Sequence, residues 1–310
     1  MKKIALFEST GKPQAREWAE YTAFKLKELG AKCCARPELI QTFKPEIRDF
    51  VHPCCLEDFE KNSDIVMSFG GDGTMLSAAR SMINTDIPIM GINVGKLGFL
   101  AEFSVKDFDN TIDDMLQGNY RIVNRAVLET TFNNEKIYAL NEFVIEKKNT
   151  SRMIRVEAFS NQNYIASIRA DGLIITTPTG STAYSLSCGG PILSPSAEVV
   201  CITPIAPHTL TVRPLVVPDS DEITLKVLSP TGDAFLMADG QNKWVLKNGD
   251  KIVIRRSESK IKLIKPHGSS YYDVLRNKLL WAADPIDDSG YSENGKKFDD
   301  AENFENNNLI

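Results

Sequence analysis

Ile65-Val66-Met67-Ser68-Phe69-Gly70-Gly71-Asp72-Gly73-Thr74 passes from an apolar run through glycine into a helical pattern. Ile65 to Phe69 is a short apolar run, suited to a strand buried on both faces. Two glycines end it, and a helical pattern follows from Thr74 to Ile83. A buried strand that turns through glycine into a helix is the unit from which parallel α/β sheets are built.

The same alternation extends to either side. Ile4 to Phe7 reads as a strand. Pro13 to Leu29 reads as an amphipathic helix, with Trp18, Tyr21, Leu26 and Leu29 at helical spacing. Pro13 suits its first turn and Gly30 its end. Ile87 to Ile92 is a third strand. Val105 to Leu116 is a further helix, ended by Gly118. From about Tyr120 the texture changes to short strands separated by turn signals: Ile137 to Ile145, Ile154 to Ser160, Tyr164 to Arg169, Leu173 to Thr177, Ile223 to Leu228 and Lys251 to Arg256. Ser229-Pro230-Thr231-Gly232 and Asn248-Gly249-Asp250 are two such signals. The expectation is α/β plus all-β: an N-terminal parallel-sheet domain over 1–120, then a C-terminal β domain over 121–267. A final helix, Ser270 to Trp281, is expected to pack back on the first domain, so that 268–284 joins it. The polar, acidic segment 287–310 is expected to be disordered, for want of apolar residues to offset ordering entropy.

Bulk composition narrows the class. The 310 residues are 42% apolar and 25% charged, enough for sizeable cores, and the length favours two domains. A net charge of -5 supplies no basic field for a nucleic-acid backbone or an anionic membrane, so neither is expected as a partner. No apolar run is long enough to span a bilayer, and the apolar part of the N-terminus closes at Glu8, too early for a signal peptide. A cytoplasmic protein is expected. The six cysteines include two adjacent pairs, Cys33-Cys34 and Cys54-Cys55, without CxxC spacing or a nearby histidine pair. They read as small buried hydrophobes, and no residue is assigned as a metal ligand.

The chemistry starts in the glycine turn. Ligand sites of open parallel sheets lie at the carboxyl ends of strands. Glycine lets a backbone approach a phosphate closely, and the amides of a helix N-terminus attract anions. Asp72 is the odd member, because a carboxylate repels phosphate. It makes sense as the holder of a phosphate-bound metal ion or as acceptor of the proton of an attacking hydroxyl. A plain strand-to-helix turn with Asp72 or Thr74 as cap is the alternative. The turn lacks the Gly-Lys-Ser/Thr ending of a P-loop and the GxGxxG of a dinucleotide fold.

Gly70 to Thr74 resembles the GGDGT loop common to NAD kinases, diacylglycerol-type lipid kinases and, more loosely, phosphofructokinases. Three further stretches resemble the NAD kinase family specifically. They are Gly91-Ile92-Asn93-Val94-Gly95-Lys96-Leu97-Gly98-Phe99-Leu100, then Leu140-Asn141-Glu142, then the hydroxyl-rich Ala170-Asp171-Gly172 to Thr177-Pro178-Thr179-Gly180-Ser181-Thr182-Ala183-Tyr184-Ser185 with Ser187 and Gly189-Gly190-Pro191. Read physically, Asn141 can give and accept at an adenine edge, the hydroxyls offer donors to ribose and pyrophosphate, and Tyr184 can stack on a ring. Pro204 to Leu210, Arg213 to Leu215 and Asp239-Gly240-Gln241 are similar to the family too, with no role assigned to His208 or Asp239.

The resemblance implies phosphoryl transfer from ATP to the adenosine 2′-hydroxyl of NAD, assisted by a divalent metal such as Mg²⁺. By similarity Asp72 is the candidate base, and Gly71 and Gly73 line the phosphates. Asn141, Glu142, Asp171, Thr182, Ala183, Tyr184 and Ser187 are candidate NAD contacts, with Phe99 near the adenine. A homo-oligomer, dimer or tetramer, is implied. Two other readings compete: a lipid kinase with the same loop, against which the acidic balance speaks, and a nucleotide-sensing module without activity, against which an intact Asp72 speaks.

Overall fold

The computed structural model describes residues 2–8, 12–95, 98–148, 152–229 and 234–280. The acidic segment from 287 and the Pro230–Gly232 part of one expected turn lie outside them.

Parallel strands form the first layer. In spatial order they are His52–Pro53, Lys32–Ala35, Lys3–Glu8, Ile65–Gly70 and Ile89–Asn93, each parallel to its neighbour. Ile65–Gly70 is central and wholly buried, as its unbroken apolar run requires. The helix Pro13–Glu28 covers one face through Ala15, Ala19, Ala23 and Leu26, which recur on one stripe. Three of the four are alanine, so its backbone lies close to the sheet. Beside that stripe, the Trp18 and Phe69 rings each meet Phe108 edge-on, and Phe108 opens the helix Phe108–Gln117. Truncating a buried side chain here, such as Met67→Ala, would cost about 2–5 kcal/mol.

The second domain is a sandwich of antiparallel strands. One sheet runs Leu215–Pro218, Val199–Ile205, Gly172–Thr176, Glu142–Lys147, Ala234–Ala238, Asn242–Leu246. Asn163–Ala170, Ile154–Ser160, Ile223–Leu228 and the first half of Lys251–Lys265 pack against it. Burial alternates along Ile154–Ser160 and Ile223–Leu228, the pattern of strands with one face in a core. Leu173, Ile175, Phe143 and Ile145 meet Val156, Leu225, Ile252 and Ile254 there.

Two strands differ from expectation. Ile137 to Ile145 is not one strand but two, Glu135–Ala139 and Glu142–Lys147. The break falls at Leu140-Asn141, whose amides donate to the Asp239 carboxylate instead of a ladder partner. The strand that begins at Lys251 does not stop at Arg256 but continues to Lys265, with an irregularity in register between Arg256 and Lys260. Its first half pairs antiparallel with Ile223–Leu228, and Leu263 and Ile264 pair parallel with Ile89 and Met90. This strand therefore joins the parallel layer to the Asn163–Ala170, Ile154–Ser160, Ile223–Leu228 layer of the sandwich in one twelve-stranded sheet. After it, Ser270 caps the last helix, Tyr271–Leu279, in a reciprocal capping box with Asp273.

Candidate active site

Two clusters face the junction of the domains. The first is the turn after Ile65–Gly70. Gly70 is required by the protein itself, since a Cβ there would drive into Thr74. Gly71 and Gly73 are different: a Cβ on either would meet nothing. Open space lies beside them, which is what a ligand-lining residue needs. A cavity of about 650 Å³ adjoins the turn, lined by Lys12, Pro13, Gly70, Gly71, Asn93 and Gly95. It receives the N-terminus of the long helix Pro13–Glu28, beside that of Asp72–Ser81, so first-turn amides and Lys12 together favour an anion there.

Asp72 opens the helix Asp72–Ser81 and points away from that helix's own amides. Its Oδ2 accepts from the Phe99 amide at 2.9 Å, and its Oδ1 from the amides of Leu100 at 2.9 Å and Ala101 at 3.3 Å. Lys278, from the last helix, lies 3.3 Å from Oδ2, with its ammonium 4.7 Å from the centre of the Phe99 ring. Burial works to raise the Asp72 proton affinity. The amides of Leu100 and Phe99, Lys278 and the Ala101 amide outweigh it and hold the carboxyl below its ordinary range. Asp72 is ionised at neutral pH. Gly98 is forced by the same contact, because a Cβ there would occupy the place of Asp72 Oδ1.

The second cluster sits at one end of the six-stranded sheet. Asp239, in the left-handed conformation at φ 48°, accepts from the amides of Leu140 at 2.9 Å, Asn141 at 2.7 Å and Glu142 at 3.1 Å. Thr177 Oγ1 donates to the Leu140 carbonyl at 2.6 Å and Thr176 Oγ1 to the Asn141 carbonyl at 3.1 Å. Asn141 and Glu142 are thus gripped on both backbone faces, which fixes the direction of their side chains. Glu142 is 6% exposed, and its Oε2 has no hydrogen-bond partner. Burial, and then the Asp239 charge, push its carboxyl up to about 8. It is largely a neutral acid at pH 7, able to donate a hydrogen bond. The charge of this buried pair rests on Asp239, which has three amides and nearby Arg80 to support it, although burial raises it too.

The hydroxyl-rich stretch corrects one expectation. Half of the eight hydroxyl residues from Thr176 to Ser187 are turned into the protein. Thr176, Thr177, Ser181 and Ser185 are buried and bonded within the protein, Ser181 to the Pro178 carbonyl and the Leu193 amide, Ser185 to Thr203. Their glycines serve the same packing: a Cβ at Gly180 would strike the Asn141 carbonyl, and one at Gly190 the Ser185 hydroxyl. Gly91 is likewise packed on Met75 and Ala101. Of the expected contacts, Thr182 and Ala183 are half-buried, and Tyr184 and Ser187 are exposed on the short helical turn Tyr184–Ser187. Burial and then the surrounding charges, Glu146, Asp171 and Glu142 among them, raise the Tyr184 phenol. Asp171 stands at the other end of its strand, bonded to Lys147 at 2.6 Å. The strand Gly172–Thr176 separates it from Glu142, a span of about 16 Å.

Several residues had no assigned role in the sequence. Asp239 could have been flagged as an acid in a buried hairpin turn. Lys278 had no local signal, since it reaches Asp72 across 206 positions. Lys265 follows an apolar strand end and lies buried beneath Phe99 and Leu100. Among the described residues no group of three or more His, Cys, Asp or Glu side chains could hold a metal ion. Asp72 is already engaged by amides and a lysine, so the chain's own donors do not fit a resident divalent ion.

A parallel sheet with a glycine turn at its strand ends, helix N-termini aimed at an open cavity, and an antiparallel β domain joined to that sheet define a class: a two-domain nucleotide phosphotransferase. Comparison with known proteins agrees. The family model described as ATP-NAD kinase N-terminal domain matches residues 16–120, and that described as ATP-NAD kinase C-terminal domain matches 140–266. A NAD kinase of Bacteroides fragilis is 42% identical over 289 residues, covering 91% of this chain and 99% of that protein. One of Christiangramia forsetii is 41% identical over 76% of this chain and 82% of its own length. Yeast NADH kinase, solved in complex with NADH, superposes with a TM-score of 0.82 at 26% identity, covering 96% of this chain and 90% of that one. An NAD kinase from Archaeoglobus fulgidus, in complex with ATP, gives 0.70 at 25% identity over 89% of this chain and 97% of that one. The chain belongs to the ATP-NAD kinase family.

Proposed function

We propose that this chain transfers the γ-phosphoryl group of ATP to the adenosine 2′-hydroxyl of NAD, giving NADP and ADP. The observation that carries the reading is Asp72: an ionised carboxylate at a helix N-terminus, flanked by glycines with open space beside them. The 2′-oxygen bonds to the γ-phosphorus as the bond to the β-phosphate oxygen breaks. The hydroxyl proton passes to Asp72 and then to solvent. Phosphoryl transfer passes through a loose transition state, so alignment does most of the work and a base adds a factor of ~10²–10⁴.

Phosphates belong with Gly71, Gly73 and the cavity lined by Lys12 and Asn93. NAD belongs with Asn141, Glu142, Thr182, Ala183, Tyr184 and Ser187, with Phe99 at the adenine. A neutral Glu142 can approach a dinucleotide without adding to its negative charge. A divalent ion such as Mg²⁺ would arrive on the nucleotide phosphates and screen them, because the carboxylate nearest the turn is already engaged. Asp171 stands about 16 Å along the strand from Glu142, and Tyr184 lies within electrostatic reach of both. In a homo-oligomer, Asp171 would also be available to a dinucleotide held by a second copy. Exposed Leu215 and Val216 on the edge strand, and Leu210 near it, are surface such an assembly could cover. Six free cysteines are in keeping with a reducing, cytoplasmic setting.

The test is purified protein with Mg-ATP, supplied with NAD in one arm and a diacylglycerol or sphingoid alcohol in the other. NADP is expected from the first arm alone. A phosphorylated lipid, or no product, would overturn the reading.

A further inference from the structure

The Lys265 side chain is 1% exposed, and its ammonium donates to the carbonyl of Leu100 at 3.1 Å, to that of Phe99 at 3.5 Å and to Glu102 Oε1 at 2.6 Å. Ser269 holds the other Glu102 oxygen at 3.0 Å. A buried ammonium is costly even when paired, and a methionine would fill the space without that cost. What the charge touches is specific. The Phe99 carbonyl and the Leu100 amide are the two edges of one peptide plane, as are the Leu100 carbonyl and the Ala101 amide. In a trans peptide these groups point in opposite directions. Two consecutive planes thus present their carbonyls to Lys265 and their amides to Asp72, whose Oδ1 receives both. Each peptide dipole lies between a cation at its negative end and an anion at its positive end. The cation polarises the carbonyls and so strengthens the amides as donors.

We propose that Lys265, seated by Glu102, is a positioning residue for phosphoryl transfer, acting on Asp72 through the two peptide planes of Phe99-Leu100-Ala101. This rests on the reading of Asp72 as the base. The loop cannot turn its amides away from Asp72 without withdrawing its carbonyls from a buried charge. The carboxylate is thereby fixed from its far side, opposite the helix that carries it.

The experiment is a double-mutant cycle on kcat, measured on the full chain with Mg-ATP and NAD. Lys265→Met alone is expected to lower kcat by about 10-fold to 10²-fold, the scale of a small misplacement of a reacting group. NAD affinity, by titration, is expected to change by less than about 2-fold, since every proposed NAD contact except Phe99 lies on the other cluster and Lys265 bonds the Phe99 carbonyl rather than its ring. In an Asp72→Asn background the same substitution should cost less than about 2-fold in kcat, because the group it positions is already disabled. A Lys265→Met loss of equal size in both backgrounds would overturn this inference and leave the role of Asp72 standing, as would a loss confined to NAD affinity. An Asp72→Asn enzyme at full rate would overturn both. If Lys265→Met does not fold, Glu102→Gln enters the same cycle, with a loss of about 3-fold to 10-fold that likewise shrinks beside Asp72→Asn. Equal Glu102→Gln losses in the two backgrounds would again overturn the inference.

Discussion

The turn at Gly70 to Thr74 and the stretch from Thr176 to Ser187 are the two most polar, glycine-rich parts of the site, and they use those residues in opposite ways. In the turn, Gly71 and Gly73 have nothing beside them, so glycine there leaves room for something outside the protein. In the longer stretch, Gly180 and Gly190 are crowded by the protein's own atoms, and four buried hydroxyls bond to their own chain or to neighbouring strands. The first region leaves its backbone open to the surroundings. The second is largely a brace that holds Asn141, Glu142 and Tyr184 where they can meet one. Residue type alone does not tell these apart; what lies within reach of each Cβ and each hydroxyl does.

Substitutions can break or sharpen this contrast. The largest effect is expected from Asp72→Asn, which should lower kcat by about 10²–10⁴-fold while NAD binding by titration stays close to that of the parent. Next is Glu142→Gln, read as stability against pH by thermal melts. The unfolded Glu142 ionises near its ordinary value of 4.5, and the folded one only at about 8. The native protein therefore loses stability as pH rises from about 4.5 to 8, at up to about 1.4 kcal/mol per pH unit, and loses no more above that. Glu142→Gln should remove this component and be relatively more stable at pH 8.5 than at pH 5. Melts of equal pH dependence would place Glu142 in a wetter setting.

Gly180→Ala and Gly73→Ala test the comparison directly. The first forces a Cβ into the Asn141 carbonyl and should cost about 1–3 kcal/mol of stability while weakening NAD binding. The second places alanine in a helix with free space around it. It should stabilise the apo protein by about 0.5–1 kcal/mol, yet lower turnover, because the added methyl lies where phosphates pass. If both destabilise alike, the contrast fails. The remaining test is Tyr184→Ala, which should weaken NAD binding by about 1–3 kcal/mol, as lost base stacking does, with ATP binding little changed. Equal losses for the two ligands would move Tyr184 off the NAD side.

Much of the fold could be read from one sequence because its signals are local. The buried run Ile65 to Phe69, proline at the start of the first long helix and glycine after it each act within a few residues. The second domain was legible through its alternation. What escaped depends on distance along the chain. The break at Leu140-Asn141 is made by Asp239, about a hundred positions away, and the strand continues past Arg256 because Lys260 to Lys265 pair with Ala126 to Arg121 and Leu263 and Ile264 with Ile89 and Met90. In the site, the turn carried its chemistry in its own residues. Lys278 and Lys265 did not, because a lysine at a helix or strand end has the same local pattern whether it meets solvent or Asp72. The hydroxyl-rich stretch stands out by composition, but the direction of its hydroxyls depends on neighbours in space.

The strand Lys251–Lys265 has a mechanical consequence. A polypeptide that pairs with the parallel layer at one end and an antiparallel layer at the other acts as a tie-beam between the domains. Swinging one domain away from the other would have to tear ladder bonds on one side of the irregularity at Arg256 to Lys260. Substrate exchange is therefore expected to proceed by local loop displacement, with wide hinge opening disfavoured. The amides of Leu263 and Ile264 should then be among the slowest to exchange with solvent deuterium, in the free protein and under turnover alike.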